Sequence, residues 1–328
     1  MRAWYSLLWF LFFLLIFFVI LSYNNDAVKI QSNISFSNLE NIEWELYFSP
    51  SYDYTWFEDY LLTTNEELKV YLYSFIYNPL ISSFKDIANS WVDIQIVIEN
   101  NKFNHDDEDY YELLNSFSWF QNIEIKNDED LDTNFMHAKT FLLDDKFIIQ
   151  TANLTYSAFF RSAEIFFVSQ DKDVLDSLNY IFQQDWNWNN IDENKIHDNL
   201  IVCPFDCRSD FLEYINKADE SIKVFIQSLS DRQIIDWLDS FEWELKIMLA
   251  DNNSNYSNKD IFSSDELQFL SEPYLHAKSI LIDDKYLIVW STNFTQNSID
   301  NNREINIVLI DPELISDFRS YFNRYWNW

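Results

Sequence analysis

The order of segments in this chain is written twice, so whatever fold one half adopts the other must be able to adopt as well. An apolar stretch at 46–50 (LYFSP) has its counterpart at 200–204 (LIVCP). The stretches KVYLYSF (69–75) and KVFIQSL (223–229) follow, then VDIQIVI (92–98) and ELKIMLA (244–250). All carry the alternation and the β-branched or aromatic content of strands. Helix-like segments at 79–90 and 231–241 lie between them, and 171–185 and 311–325 read as closing helices. A β-α-β-α order predicts, in each half, a sheet flanked by helices.

Each half ends on the same group of polar residues. The first copy, HAKTFLLDDKFIIQTANLT, holds His137, Lys139, Asp144 and Asn153. The second, HAKSILIDDKYLIVWSTNFT, holds His276, Lys278, Asp283 and Asn293. A glutamate, Glu164 or Glu304, stands eleven residues after each asparagine. Histidine and lysine two apart on an extended chain share a face. The following residues read as strand, tight turn and strand, a hairpin that returns the asparagine towards them. These types suit a phosphodiester. Lysine neutralises its charge, and asparagine donates to a phosphoryl oxygen without adding charge. A neutral histidine can attack phosphorus. A second histidine can protonate the leaving oxygen and then activate water. Carboxylates orient the two imidazoles. No metal or other cofactor is required. Finding the same residue types in the same order at matching places in a repeat removes chance as an explanation, whereas His105 and His197 stand alone and read as structural.

These residues resemble the phospholipase D superfamily, whose HxKx4D motif occurs in both halves. The resemblance covers 40–328. It implies a pseudo-twofold monomer of two α/β/α sandwich lobes, with the site between them and a phosphohistidine intermediate. By position it implies His137 as nucleophile and His276 as acid and base. Lys139, Lys278, Asn153 and Asn293 would bind phosphate, and Glu164 and Glu304 would orient the histidines. Asp144 and Asp283 would support catalysis near the lobe contact. Two departures stand out. The first copy has Gln150 where the family has glycine and is one residue shorter between Asp144 and Asn153 than the second; the second copy has Trp290 at the glycine.

Trp290 belongs to a wider pattern. The chain has 13 tryptophans and no glycine, although tight turns need positive φ. Trp91 and Trp243 stand directly before matching strands, where a helix-to-strand turn favours glycine. DWNWNN (185–190) and YWNW (325–328) make better turns with glycine than with tryptophan. This suggests that many or all of the 13 tryptophans are glycines read from a reassigned codon. They are therefore not taken as a stacking platform for single-stranded nucleic acid.

The remaining features concern location and substrate. From Ala3 to Leu21 the chain is uncharged, with a single serine, and long enough to span a bilayer. Arg2 before it and Asp26 after it predict the amino terminus inside. No small-residue cleavage site follows, so an uncleaved anchor is preferred to a signal peptide. The expected organisation is an anchor at 1–23, a linker at 24–40, and lobes at 41–190 and 198–328, with the lobes outside the cytoplasm. Cys203 and Cys207 can close a small disulfide or remain two thiols, and they lack a second pair for zinc. The net charge of −32 would repel a polyanion. Together with the anchor, it favours a phospholipid over nucleic acid and hydrolysis of a headgroup ester as the reaction. A cardiolipin synthase-like transferase uses the same residues, and a nuclease of the same superfamily is the third reading. A scaffold with a dead site is disfavoured because no motif histidine or lysine is lost.

Overall fold

The computed structural model describes residues 44–51, 53–100, 108–129, 131 and 133–327. The first lobe runs β1 (Trp44–Ser49), α1 (Thr55–Leu62), β2 (Glu67–Leu72), α2 (Asn78–Asn89), β3 (Asp93–Ile98), α3 (Glu108–Phe117) and β4 (Ile123–Asn127). It continues with β5 (Thr140–Leu142), β6 (Phe147–Gln150), α4 (Tyr156–Phe160), β7 (Ser162–Ser169) and α5 (Lys172–Trp186). The second lobe runs β8 (Leu200–Cys203), α6 (Cys207–Ile215), β9 (Ser221–Ile226), α7 (Arg232–Asp239), β10 (Glu244–Ala250) and β11 (Leu267–Leu270). It closes with β12 (Tyr274–Leu275), β13 (Lys278–Ile282), β14 (Tyr286–Trp290), α8 (Gln296–Asp300), β15 (Glu304–Leu309) and α9 (Pro312–Trp326).

The sheets have matching strand orders, β1-β7-β6-β5-β2-β3-β4 and β8-β15-β14-β13-β9-β10-β11. In both, the two crossover-connected neighbours are parallel and the motif hairpin is antiparallel. This is the two-lobed α/β architecture that the resemblance implied. Its capping repeats too. Asp171 accepts from the N–H groups of Asp173 and Val174 at the start of α5, and Asp311 from those of Glu313 and Leu314 at the start of α9. Such caps satisfy donors that the first helical turn leaves unpaired.

Helices α5 and α9 lie where the lobes meet. Val174, Leu178, Ile181 and Phe182 recur at helical spacing on α5, and Leu314, Phe318, Tyr321 and Phe322 do so on α9. They share one buried cluster with Tyr71 of β2 and Phe225 of β9. The Tyr321 hydroxyl donates to the Ser49 carbonyl across the lobes at 2.6 Å. Arg303 is buried there with Asp185, Nε to Oδ2 3.0 Å. Asp185 also accepts from the Tyr71 hydroxyl at 2.7 Å. Removing one partner of such a pair leaves an uncompensated charge, at a cost of roughly 3–5 kcal/mol.

The membrane expectation needs correcting. Among the described residues no helix is long and apolar enough to cross a membrane. The longest, α5 and α9, have 15 residues each, against about 20 needed. The transmembrane helix, the single-pass topology and the extracytoplasmic placement are therefore not supported. The stretches 1–23 and 24–40 on which those expectations fell, and His105, lie outside the described residues. Cys203 and Cys207 form a disulfide, joining the end of β8 to the start of α6.

Candidate active site

Each motif histidine follows an extended stretch that leaves its own lobe's sheet and is pinned to the other lobe. The N–H groups of His137 and Ala138 both donate to the Arg303 carbonyl, at 2.9 and 2.8 Å. Those of His276 and Ala277 both donate to the Ala163 carbonyl, at 3.1 and 2.7 Å. β12 extends this contact by pairing with β7 of the first lobe. The next residue of each receiving strand is the glutamate. As a result the carboxylates cross over. His137 Nδ1 lies 2.9 Å from Glu304 Oε1, and His276 Nδ1 lies 2.7 Å from Glu164 Oε1. Sequence alone paired neither glutamate with a particular histidine.

Supporting groups hold the carboxylates in turn. Thr151 Oγ1 donates to Glu164 at 2.6 Å, and Asn302 Nδ2 donates to Glu304 at 3.3 Å. Lys139 and Lys278 are fully buried. Lys139 Nζ donates to the His137 carbonyl at 2.7 Å, and Lys278 Nζ lies 3.1 Å from His276 Nε2. Asn153 and Asn293 stand in the turns after β6 and β14, each with a buried, unpartnered Oδ1. Asn293 Nδ2 donates to Gln227 Oε1 at 3.4 Å.

The electrostatics follow from burial. Burial pushes His137 down to about 4, against the pull of Glu304, and Lys139 deepens the shift. It lowers His276 as well, with Glu164 opposing. Lys139 is held down to about 7 by burial and by repulsion from Lys278. Lys278 is held down to about 8 by burial, with Glu164 and Glu304 opposing. Burial alone would raise Glu164 and Glu304, but each facing histidine wins and keeps its carboxylate below the usual range. The site thus brings together two imidazoles, two carboxylates and two buried lysines whose charge burial disfavours. An arriving anion would relieve the lysine repulsion.

Asp144 and Asp283 are not part of this cluster, contrary to their expected place near the lobe contact. Lys69 of β2 pairs with Leu142 and Tyr71 with Thr140, so Asp144 reaches the beginning of β2 while His137 lies beyond its end. There Asp144 accepts from the N–H groups of Asn65, Glu66 and Glu67 at 2.7, 3.0 and 3.1 Å. Asp283 does the same for Asp219, Glu220 and Ser221 at 2.9, 2.8 and 2.8 Å. Each carboxylate gathers the chain entering a central strand. Burial would raise Asp283, but these backbone donors outweigh it and its carboxyl lies below the usual range.

Comparison with known proteins agrees with the two-lobed fold. A family model described as "Cardiolipin synthase, PLD-like domain" matches residues 58–186 and 211–326. The mitochondrial cardiolipin hydrolase of Chlamydomonas reinhardtii is 26% identical over 127 residues, covering 36% of this chain and 57% of that protein. The chain thus spans little more than half of that relative's length. Among solved structures, polyphosphate kinase from Porphyromonas gingivalis shares the fold with a TM-score of 0.67 and 14% identity, covering 91% of this chain and 52% of that one. Phosphatidylserine synthase from Haemophilus influenzae Rd KW20 does so with a TM-score of 0.63 and 11% identity, covering 88% and 89%. At these identities the two structures speak for the fold alone.

Proposed function

The chain belongs to the phospholipase D superfamily, and on that premise we propose that it hydrolyses a phospholipid headgroup ester through a phosphohistidine on His137. The observation that carries this reading is the crossed pairing of two histidines with two glutamates around two buried lysines. Glu304 at Nδ1 of His137 leaves Nε2 as the attacking atom, and burial keeps that nitrogen unprotonated near neutral pH. Lys139, Lys278, Asn153 and Asn293 hold the non-bridging oxygens. In the first step the Nε2–P bond forms and the P–O bond to the headgroup breaks. His276 gives its proton to the departing alcohol. In the second step His276 takes a proton from water, whose oxygen attacks phosphorus and releases His137. The substrate's negative charge favours the protonated form of His276 that the first step needs.

A phospholipid is supported by the cardiolipin named in both the family description and the C. reinhardtii relative. The net charge of −32 argues against a polyanion. The word synthase in the family description favours one second reading, in which an alcohol replaces water in the second step. The test is to incubate the purified chain with mixed phospholipid vesicles, and separately with DNA, with and without chelator. Released headgroup and phosphatidic acid are expected, with the phosphatidyl group trapped on His137 after denaturation at alkaline pH. Headgroup release that requires an added alcohol, giving a new diester and no phosphatidic acid, would select the transferase. DNA cleavage without lipid turnover would overturn both.

A further inference from the structure

The repeat makes the two half-sites comparable residue by residue, and at two positions they differ in kind. Tyr73 follows β2 directly and Gln227 follows β9 directly. Phe135 and Tyr274 each stand two residues before a motif histidine, on its face of the extended chain. On the His137 side these positions make an aromatic wall. The Tyr73 ring meets the His137 ring edge-on at 4.9 Å and the Phe135 ring at 6.4 Å, and Lys139 Nζ lies 5.5 Å from its centroid. On the His276 side they make a hydrogen-bonded row. Asn293 Nδ2 donates to Gln227 Oε1, and Gln227 Nε2 donates to the hydroxyl of the exposed Tyr274 at 3.1 Å.

We propose that Gln227 and Tyr274 bind the leaving alcohol and select one that carries hydroxyls, while Tyr73 and Phe135 face the part of the substrate retained on phosphorus. This rests on the roles given above to His137 and His276. In-line displacement puts the leaving oxygen on the side away from His137, next to the amide-phenol row. That row can exchange hydrogen bonds with a polyol, whereas a quaternary ammonium has no donor or acceptor to exchange.

The test measures kcat/KM for headgroup release from phosphatidylglycerol and phosphatidylcholine vesicles, taken as a ratio so that surface charge cancels between variants. Gln227→Leu and Tyr274→Phe should each lower the glycerol-to-choline ratio roughly three- to tenfold, the worth of one hydrogen bond. Tyr73→Leu should weaken both substrates alike and keep the ratio. A parallel loss on both lipids in the Gln227 and Tyr274 variants overturns the assignment. So does a Tyr73 variant that shifts the ratio as far. If the unaltered chain releases neither headgroup, the lipid reading itself falls, and this proposal with it.

Backbone geometry carries a second inference independently. Among the described residues five have positive φ, and the three aspartates, Asp206, Asp283 and Asp284, tolerate it. The other two are Trp91, at 67°, and Trp188, at 55°. Each stands just past a helix, its N–H donating back to Ala88 or Asp185, the position where glycine predominates. Trp91 is 89% exposed and so gains no burial in exchange. Trp290 is wholly buried with its indole N–H unpartnered. We infer that the native chain carries glycine at 91, 188 and 290, from a codon its organism reads as glycine. Peptide mass spectrometry of the protein from its natural source should find glycine at all three. Tryptophan at any of them overturns the inference. In a recombinant chain, W91G with W188G should raise Tm by roughly 5 °C or more, and an unchanged or lower Tm would count against it.

Discussion

The two lobes share strand order, caps and hairpins, yet their half-sites are not interchangeable. Around His137 the neighbours are rings, and burial and Lys139 hold the imidazole far below its ordinary range. Around His276 they are amides and a phenol, and Lys278 lies against the ring nitrogen. A duplicated scaffold thus supplies two equal frames, and the residues at the strand ends give each frame its own surroundings. The difference teaches that in this chain symmetry belongs to the backbone and asymmetry belongs to a few side chains.

The strongest way to break this comparison is to remove each histidine. His137→Ala and His276→Ala should each lower turnover on phospholipid by about 10³-fold or more. With a nitrophenyl ester, which needs no proton to leave, only the His276 variant should still form the phosphohistidine. A covalent product in the His137 variant would reverse the roles. Next come the closing helices. Phe182→Ala and Phe322→Ala occupy matching buried places and should each cost about 3–5 kcal/mol of stability in denaturant titration. A much smaller cost in one would mean that the lobes do not share their core equally.

The glutamates sharpen the assignment through pH. In its proposed role His137 must be neutral to attack, so kcat/KM should rise as pH passes upward through about 4. Glu304 raises His137, so Glu304→Gln should move that limb to lower pH, while Glu164→Gln should leave it in place. The opposite pattern would assign the nucleophile to His276. The same shift has a stability consequence. The unfolded imidazole binds its proton near 6.5 and the folded one only near 4, so the unfolded state takes up more protons between those values. Stability from this group is therefore present above about 6.5 and lost as pH falls towards 4. The smallest effects belong to the strand-entry carboxylates. Asp283→Asn should cost about 1–2 kcal/mol and the more exposed Asp144→Asn less, with kcat unchanged in both. A fall in kcat would return these residues to the active site.

Much of this was legible from residues alone. The repeat, the motif hairpins and the closing helices rest on local periodicity, which the chain states plainly at 69–75, 223–229, 171–185 and 311–325. The crossing of Glu164 and Glu304 was not legible, because it depends on two extended stretches pairing across lobes through the Ala163 and Arg303 carbonyls. Asp144 and Asp283 lie away from the expected place because the motif spans a whole strand, with histidine at one end and aspartate at the other. Counting strand residues from lysine to aspartate would have set them at opposite ends of one strand. Tyr73 and Gln227 belong to no motif, and only their equivalent places directly after β2 and β9 mark them. The apolar run at 3–21 suggested an anchor by composition, and no described helix has the length or character to serve as one.

The crossed pairs have a further consequence for how such a molecule could be divided. Since each imidazole is held by a carboxylate from the other lobe, a half-chain alone carries a histidine with nothing to orient it. Two separately synthesised halves, cut between 190 and 198, could regain the whole constellation only by assembling with each other. Covalent continuity between the lobes would then be a convenience of synthesis and not a requirement of the chemistry.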